Sequence, residues 1–293
     1  MAHQPDQTVR LLVFARDPAD HVQSAWAEMR PFIESRPALE IAAAYVAGQP
    51  DGTPPDSVEA DLAVVLGGDG AILRASRQIG KKQIPVVGVN LGRLGFLAEL
   101  APGEFRAQID CIERRAYRIV HHLMYECTLL RADGTTEAHL GLNEIAVLAG
   151  ASLSMIEVDL SIDGELVTTY SGDGVIISTP VGSTAHSLSA GGPLLRQNLE
   201  AFVITPICPH TLTNRPLVDR ADGTYELAVP RAPEGVTLVI DGQIKEPLVA
   251  GDRILLRRAD VTFQLARLPG HSYYKTLHRK LGWGGQPHYG RQK

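Results

Sequence analysis

The chain has 293 residues, enough for two domains of ordinary size with a core in each. Hydrophobic residues make up 44% and charged residues 21%, and a net charge of −5 without any Lys/Arg block argues against a nucleic-acid or membrane-surface binder. No apolar run is long enough to span a bilayer, the N-terminus lacks the layout of a signal peptide, and the three cysteines (Cys111, Cys127, Cys208) fit no metal or redox spacing, so a reducing cytoplasm is the expected setting.

Val9–Phe14 reads as a buried strand, and Asp17-Pro18 as an N-cap with Pro at N1, opening a helix towards Arg30. Glu40–Val46 reads as a second strand and Gln49–Ser57 as a Pro/Gly/Asp loop. Leu62–Leu66 is an apolar run that stops at Gly67-Gly68-Asp69-Gly70, followed by a helical pattern over Ala71–Ile79 and another buried strand at Val86–Val89. This is the grammar of a parallel sheet with crossover helices, and Pro102–Arg115 is predicted to close it as one helix.

From Tyr117 to Leu268 the grammar changes to alternating strand patterns punctuated by Asp-Gly pairs at 133–134, 163–164, 222–223 and 241–242. Ile162-Asp163-Gly164-Glu165, between two such patterns, predicts a hairpin. The expected fold is therefore an α/β domain with a parallel, Rossmann-like sheet over residues 1–116 and an antiparallel, β-rich domain over 117–268. His271–Lys280 reads as a short helix, and Gly282–Lys293 as a frayed end.

Three strings carry chemistry. Gly67–Gly70 lies where a strand feeds a helix, at the edge where open α/β sheets bind ligands. Its glycines let amides approach phosphate, and Asp69 is placed to take a proton from a hydroxyl. A tight turn with Asp69 as helix N-cap satisfies the same four residues. Tyr170–Pro193 flanks the strand Val175–Ile177 with small hydroxylated residues and reads Gly182-Ser183-Thr184-Ala185 as a turn opening a helix, capped by Ser183 or Thr184. It suits a polar ligand against backbone, or a Ser/Thr loop making its own turns. Asn143-Glu144, ahead of a strand over Ile145–Leu148, is a clamp for a diol or simply a hairpin end. His121 and His122 alternate across a strand, no HxxxH or HxH spacing occurs, and no metal site built on histidine is expected.

Together the strings resemble the NAD kinase family. Its hallmarks appear in order as Gly67–Gly70, the Asn90–Leu97 loop (NLGRLGFL), Asn143-Glu144, Gly172–Pro193 (GDGVIISTPVGSTAHSLSAGGP) and Pro209–Val218 (PHTLTNRPLV). The likeness runs from Leu62 to Arg267. The resemblance implies two domains with substrate between them, the tail 269–293 returning to the first, and a homodimer or homotetramer. The implied activity is phosphoryl transfer from ATP or inorganic polyphosphate to the 2′-hydroxyl of the adenosine ribose of NAD, giving NADP.

Carried over position by position, Asp69 is the general base, Gly68 and Gly70 sit against phosphates, and Arg74 meets phosphates one helical turn on. Asn143 and Glu144 hold the adenosine part, with Glu144 near its ribose, and Asp173 faces the nicotinamide carboxamide. Thr184, Ala185 and Ser189 line the adenine pocket with His186 beside it, Ser187 and Leu188 belong to the same nucleotide-binding run, and Gln243 lies near the diphosphate or ribose. No GxxxxGK[ST] lysine is present, so the glycine turn and a divalent ion, expected to be Mg²⁺, take its place, with water and triphosphate as the main ligands of the ion.

Departures from the family pattern are Ala71 for Thr, Val181 for Thr and His186 for Tyr; Gly172 is Gly or Arg in relatives. The rival readings are a lipid kinase or phosphofructokinase, which share GGDG, and a non-catalytic NAD-binding regulator. Lipid kinases carry a GTGND string absent here, and Asp69 speaks against the regulator.

Overall fold

In the computed structural model, residues 8–48, 57–92, 95–150, 155–211 and 213–283 are described. The predicted loop over residues 49–57, except its last residue, lies outside them, as do Arg93-Leu94, Leu212 and the tail past Trp283. The chain divides into two compact units: Met1–Ala75, Ile84–Val120 and Leu265–Lys293 in one, Ser76–Gln83 and His121–Gln264 in the other.

The first unit runs β1 (Val9–Ala15), α1 (Asp20–Glu34), β2 (Leu39–Val46), β3 (Leu62–Leu66), α2 (Asp69–Ile79, whose last turn belongs to the second unit), β4 (Val86–Val89), α3 (Pro102–Ala107) and α4 (Ile109–Glu113). Its sheet is parallel, in the order β2-β1-β3-β4. Val22, Trp26, Met29 and Ile33, spaced along one face of α1, are buried with Val9, Leu11 and Val13 of β1 and with Leu62 and Val64 of β3. Ile72 of α2 lies so near β4 that a Cβ on Gly88 would be 2.5 Å from its Cδ1.

Two local expectations are corrected. Asp17 does not cap α1: its Oδ1 accepts the Ala19 N–H in a separate turn, and the helix starts at Asp20 and runs through Pro31 to Glu34. The single helix predicted over Pro102–Arg115 is broken at Gln108 (φ −106°), giving α3 and α4.

The second unit contains β5 (Arg118–Leu130, which starts in the first unit), β6 (Thr136–Gly141), β7 (Glu144–Leu148), β8 (Ile156–Ile162), β9 (Glu165–Gly172), β10 (Gly174–Ser178), α5 (His186–Ser189), β11 (Ala201–Ile207), β12 (Leu217–Arg220), β13 (Tyr225–Ala228), β14 (Thr237–Ile240), β15 (Ile244–Pro247) and most of β16 (Arg253–Arg267). One sheet joins β16-β13-β8-β9, with β5 beside β16 and β6; the other runs β12-β11-β10-β7-β14-β15. Apart from β5–β16, each of these strand pairs is antiparallel.

The core of this unit joins residues of both sheets, among them Tyr125, Val158 and Tyr225 from one and Val147, Ile177 and Phe202 from the other. Phe202 and Tyr225 meet edge to face at 5.4 Å. Asp163 (φ 51°) and Gly164 (φ 83°) form the predicted hairpin turn, with both central residues left-handed as a type I′ turn requires. The last described element is α6 (Tyr273–Leu281), in the first unit. Among the described residues, no helix is long and apolar enough to cross a membrane.

Candidate active site

In the first unit, β3 gives way to Gly67, whose φ of 138° and close approach to Ala71 (a Cβ would lie 2.8 Å from the Ala71 Cβ) require glycine. Gly68 is exposed and its carbonyl accepts the Ala71 N–H at 3.0 Å, so Gly68 opens α2. Asp69 therefore stands in the first turn rather than at the cap. Its carboxylate reaches away from its own helix: Oδ2 accepts the Phe96 N–H at 2.7 Å, and Oδ1 accepts those of Leu97 at 3.0 Å and Ala98 at 2.9 Å.

A carboxylate offers about four lone-pair directions. These three bonds leave Oδ2 with one direction open. Gly70 is exposed, and Arg74, four residues on and so on the same helical face, is partly buried. The Phe96 ring lies under the Lys280 ammonium of α6, 4.5 Å from its centroid. Beneath the same loop, Arg267 pairs with buried Glu99 at 3.3 Å, and burial still raises the Glu99 carboxyl despite that partner.

In the second unit, Asn143-Glu144 turns into β7. Glu144 is 6% exposed, and its Oε2 is buried without a hydrogen-bond partner. Burial, reinforced by the nearby Asp241 carboxylate, pushes its carboxyl up to about 8. The turn is stitched to the Gly172–Pro193 string. Thr179 donates its N–H to Asn143 O at 2.8 Å and its hydroxyl to Leu142 O at 2.6 Å. A Cβ on Gly182 would sit 2.2 Å from Asn143 O.

That string holds a shorter helix than expected. Gly182–Thr184 is a single 3₁₀ turn, and α5 spans only His186–Ser189. Neither predicted cap forms. Ser183 donates to Pro180 O and accepts the Leu195 N–H, while Thr184 donates to Val181 O. Thr184, Ala185 and Leu188 are partly exposed, and His186 and Ser189 are exposed. Ser187 is different: it is fully buried, with its hydroxyl 3.0 Å from that of Thr205.

Asp173 is exposed beside the thiol of Cys208, to which it is hydrogen-bonded, and this contact raises the thiol. Gly172 is held by contact, since a Cβ there would be 2.7 Å from Ile207 O. Gln243 follows the Asp241-Gly242 turn and accepts a hydrogen bond from Arg77.

Three residues that the sequence did not single out organise this half. Asp241 (φ 49°) sits in the β14–β15 turn, yet its side chain is fully buried. Its carboxylate accepts the N–H groups of Leu142, Asn143 and Glu144, the Tyr125 hydroxyl at 2.9 Å and an Arg77 N–H at 2.9 Å. Tyr125 also lies 2.7 Å from Glu144 O, and Gly141 leaves room for its ring. Among four Asp-Gly pairs, only burial separates Asp241 from an ordinary turn aspartate, and burial is not printed in a dipeptide.

Among the described residues, one group has metal-ligand spacing: Glu137, His139 and Glu246. Its two carboxylates already pair with the Arg131 guanidinium at 3.0 and 2.8 Å. A resident cation there would have to displace Arg131, so the group does not fit a metal site.

Residues 48–117 match the ATP-NAD kinase N-terminal domain, and residues 142–268 match the ATP-NAD kinase C-terminal domain. An NAD kinase of Rhodopirellula baltica is 47% identical over 277 residues, covering 94% of this chain and 88% of that protein. The fold is similar to that of yeast NADH kinase solved with NADH (TM-score 0.86, 24% identity, 98% of this chain and 91% of that one). It is also similar to an NAD kinase from Archaeoglobus fulgidus solved with ATP (TM-score 0.72, 27% identity, 94% and 99%).

Proposed function

The chain belongs to the NAD kinase family and phosphorylates NAD, and we propose that Asp69 is the general base of that reaction. The observation that carries this reading is the Asp69 carboxylate, fixed by three amides with one direction of Oδ2 left open. In the proposed step the 2′-hydroxyl of the adenosine ribose gives its proton to that oxygen as O2′ attacks the terminal phosphorus of the donor. The P–O bond to the leaving phosphate chain breaks, yielding NADP and, from ATP, ADP. Such a transfer asks the protein for positioning, charge neutralisation and a placed base rather than covalent chemistry.

Gly68 and Gly70, exposed at the start of α2, offer close backbone approach to phosphates, and Arg74 adds a positive charge on the same face. Asn143 and Glu144 take the ribose, the unpaired Glu144 Oε2 being the free polar atom of that pair. Asp173 takes the carboxamide, and the exposed residues of 184–189 take the adenine, with Ser187 supporting them from the core. Among the described residues, the one group with metal-ligand spacing is occupied by Arg131, which supports a divalent ion, Mg²⁺, that enters as part of the donor complex. ATP is the proposed donor, with inorganic polyphosphate as a second, and the setting is a cytoplasmic homo-oligomer.

The experiment is direct. Purified protein is incubated with NAD, ATP and Mg²⁺, and NADP is read with an NADP-specific dehydrogenase. Formation of NADP only when all three are present supports the reading; NAD binding without NADP, from ATP or from polyphosphate, would make the chain a dinucleotide-binding regulator.

A further inference from the structure

An aspartate in a type I′ turn usually faces water, because such turns are exposed hairpin tips. Asp241 instead buries its carboxylate, which is costly for a charge unless it is paired and hydrogen-bonded. The pairing is complete. Three successive amides, those of Leu142, Asn143 and Glu144, converge on it, the Tyr125 hydroxyl is 2.9 Å away, and Arg77 on the last turn of α2 supplies the counter-charge. Convergent amides of this kind form an anion nest, here filled by a side chain. The reverse bond closes the loop: the Asp241 N–H donates to Glu144 O at 2.8 Å. The same guanidinium also holds the Gln243 side chain, so one cation orients Gln243 directly and Asn143 and Glu144 through Asp241.

We propose that the Arg77–Asp241 pair is the positioning element for NAD recognition, setting the Asn143-Glu144 turn so that Glu144 Oε2, which has no hydrogen-bond partner, meets the dinucleotide. The proposal rests on the reading that Asn143 and Glu144 hold the ribose. Asp241 touches no substrate in this account. It acts through the backbone of residues 142–144, and Arg77 acts through Asp241, opposing the burial that raises that carboxyl. Removing Arg77 leaves the Asp241 carboxyl uncompensated in the core, so its hold on the three amides weakens. A turn displaced by a fraction of an ångström misplaces Glu144, and small misplacements of binding groups are costly.

The test uses the full-length protein and steady-state kinetics with NAD and ATP varied separately. Arg77→Gln is expected to raise the KM for NAD about tenfold, the scale of one hydrogen bond to a charged group, while the KM for ATP stays within about twofold. Arg77→Lys, which keeps the charge without the fork, should recover part of that loss. In a double-mutant cycle, adding Arg77→Gln to Glu144→Gln should raise the KM little beyond Glu144→Gln alone, because both act on one contact. Multiplicative effects, an equal rise in both KM values, or no rise in Arg77→Gln would overturn the positioning role while the ribose reading stands. If Glu144→Gln leaves the KM for NAD unchanged, the ribose reading itself fails and the proposal falls with it. Should Arg77→Gln not fold, Tyr125→Phe removes a single hydroxyl from the same carboxylate and is read by the same comparison.

Discussion

Gly95 has no side chain because Asp69 occupies the place where one would be: a Cβ at residue 95 would lie 1.9 Å from Asp69 Oδ1. The carboxylate is thereby let into the loop and meets the amides of residues 96–98. Gly95→Ala should expel it without changing a single polar group. Turnover is expected to fall by about 10²–10⁴-fold, as for loss of a general base, with the dissociation constant for NAD little changed. Single-turnover rates and NAD titration check this, and a Gly95→Ala enzyme with ordinary turnover would mean that the observed cradle is not the working one.

Glu144 gives the protein a pH signature. Burial raises its carboxyl from 4.5 to about 8, so between those values the unfolded chain is ionised at this residue while the native one holds a proton. The native state binds more protons in that window, and its stability therefore falls as pH rises from about 5 to 8. Glu144→Gln removes the dependence. The variant should gain on the parent across the window, by an amount on the order of a few kcal/mol at its alkaline end. Urea unfolding at pH 5, 6.5 and 8 measures it; parallel curves for the two proteins would show that Glu144 is not protonated in the fold.

The pair Glu99–Arg267 lies beneath the loop that carries Phe96, with exposures of 7% and 8%. Breaking one side should cost about 3–5 kcal/mol, whereas replacing both with apolar residues should restore most of the loss. Urea midpoints of Glu99→Gln, Arg267→Met and the Glu99→Leu/Arg267→Met double variant test this. A double variant as unstable as the worse single one would show that the pair is not a self-contained burden.

Divalent ions alone should not stabilise the protein. Arg131 fills the one group with metal-ligand spacing among the described residues, so Mg²⁺ without nucleotide should leave the thermal midpoint unchanged, while Mg²⁺ with ATP raises it by ligand linkage. A rise with Mg²⁺ alone, abolished by Glu246→Gln, would restore the cluster as a metal site.

Much of this was legible in the sequence. The parallel strands at Val9, Leu62 and Val86 are short apolar runs with turn signals at both ends, and the Asp163-Gly164 hairpin states its own turn type. The glycine string and Asn143-Glu144 were visible as polar anomalies at strand ends. What was hidden depends on long-range approach. Arg77 looks like one more exposed helix cation until Asp241, 164 residues away, is brought beside it. The cap alternative for Asp69 stayed open in the sequence because its partners, the amides of residues 96–98, have no side-chain signature. The caps expected at Asp17, Ser183 and Thr184 failed for the converse reason: each found a nearer bond than the helix end it was assigned.

The central claim, that Asp69 accepts the proton of the attacking hydroxyl, is tested most directly by Asp69→Asn in single-turnover phosphorylation of NAD by Mg²⁺–ATP. Asparagine keeps one oxygen for the amides but cannot take a proton. The account predicts a rate about 10²–10⁴-fold below the parent with NAD affinity close to it, and a thermal midpoint lowered only by the one amide bond, that of Phe96, which the asparagine NH2 cannot accept. A rate within a few fold of the parent would contradict it.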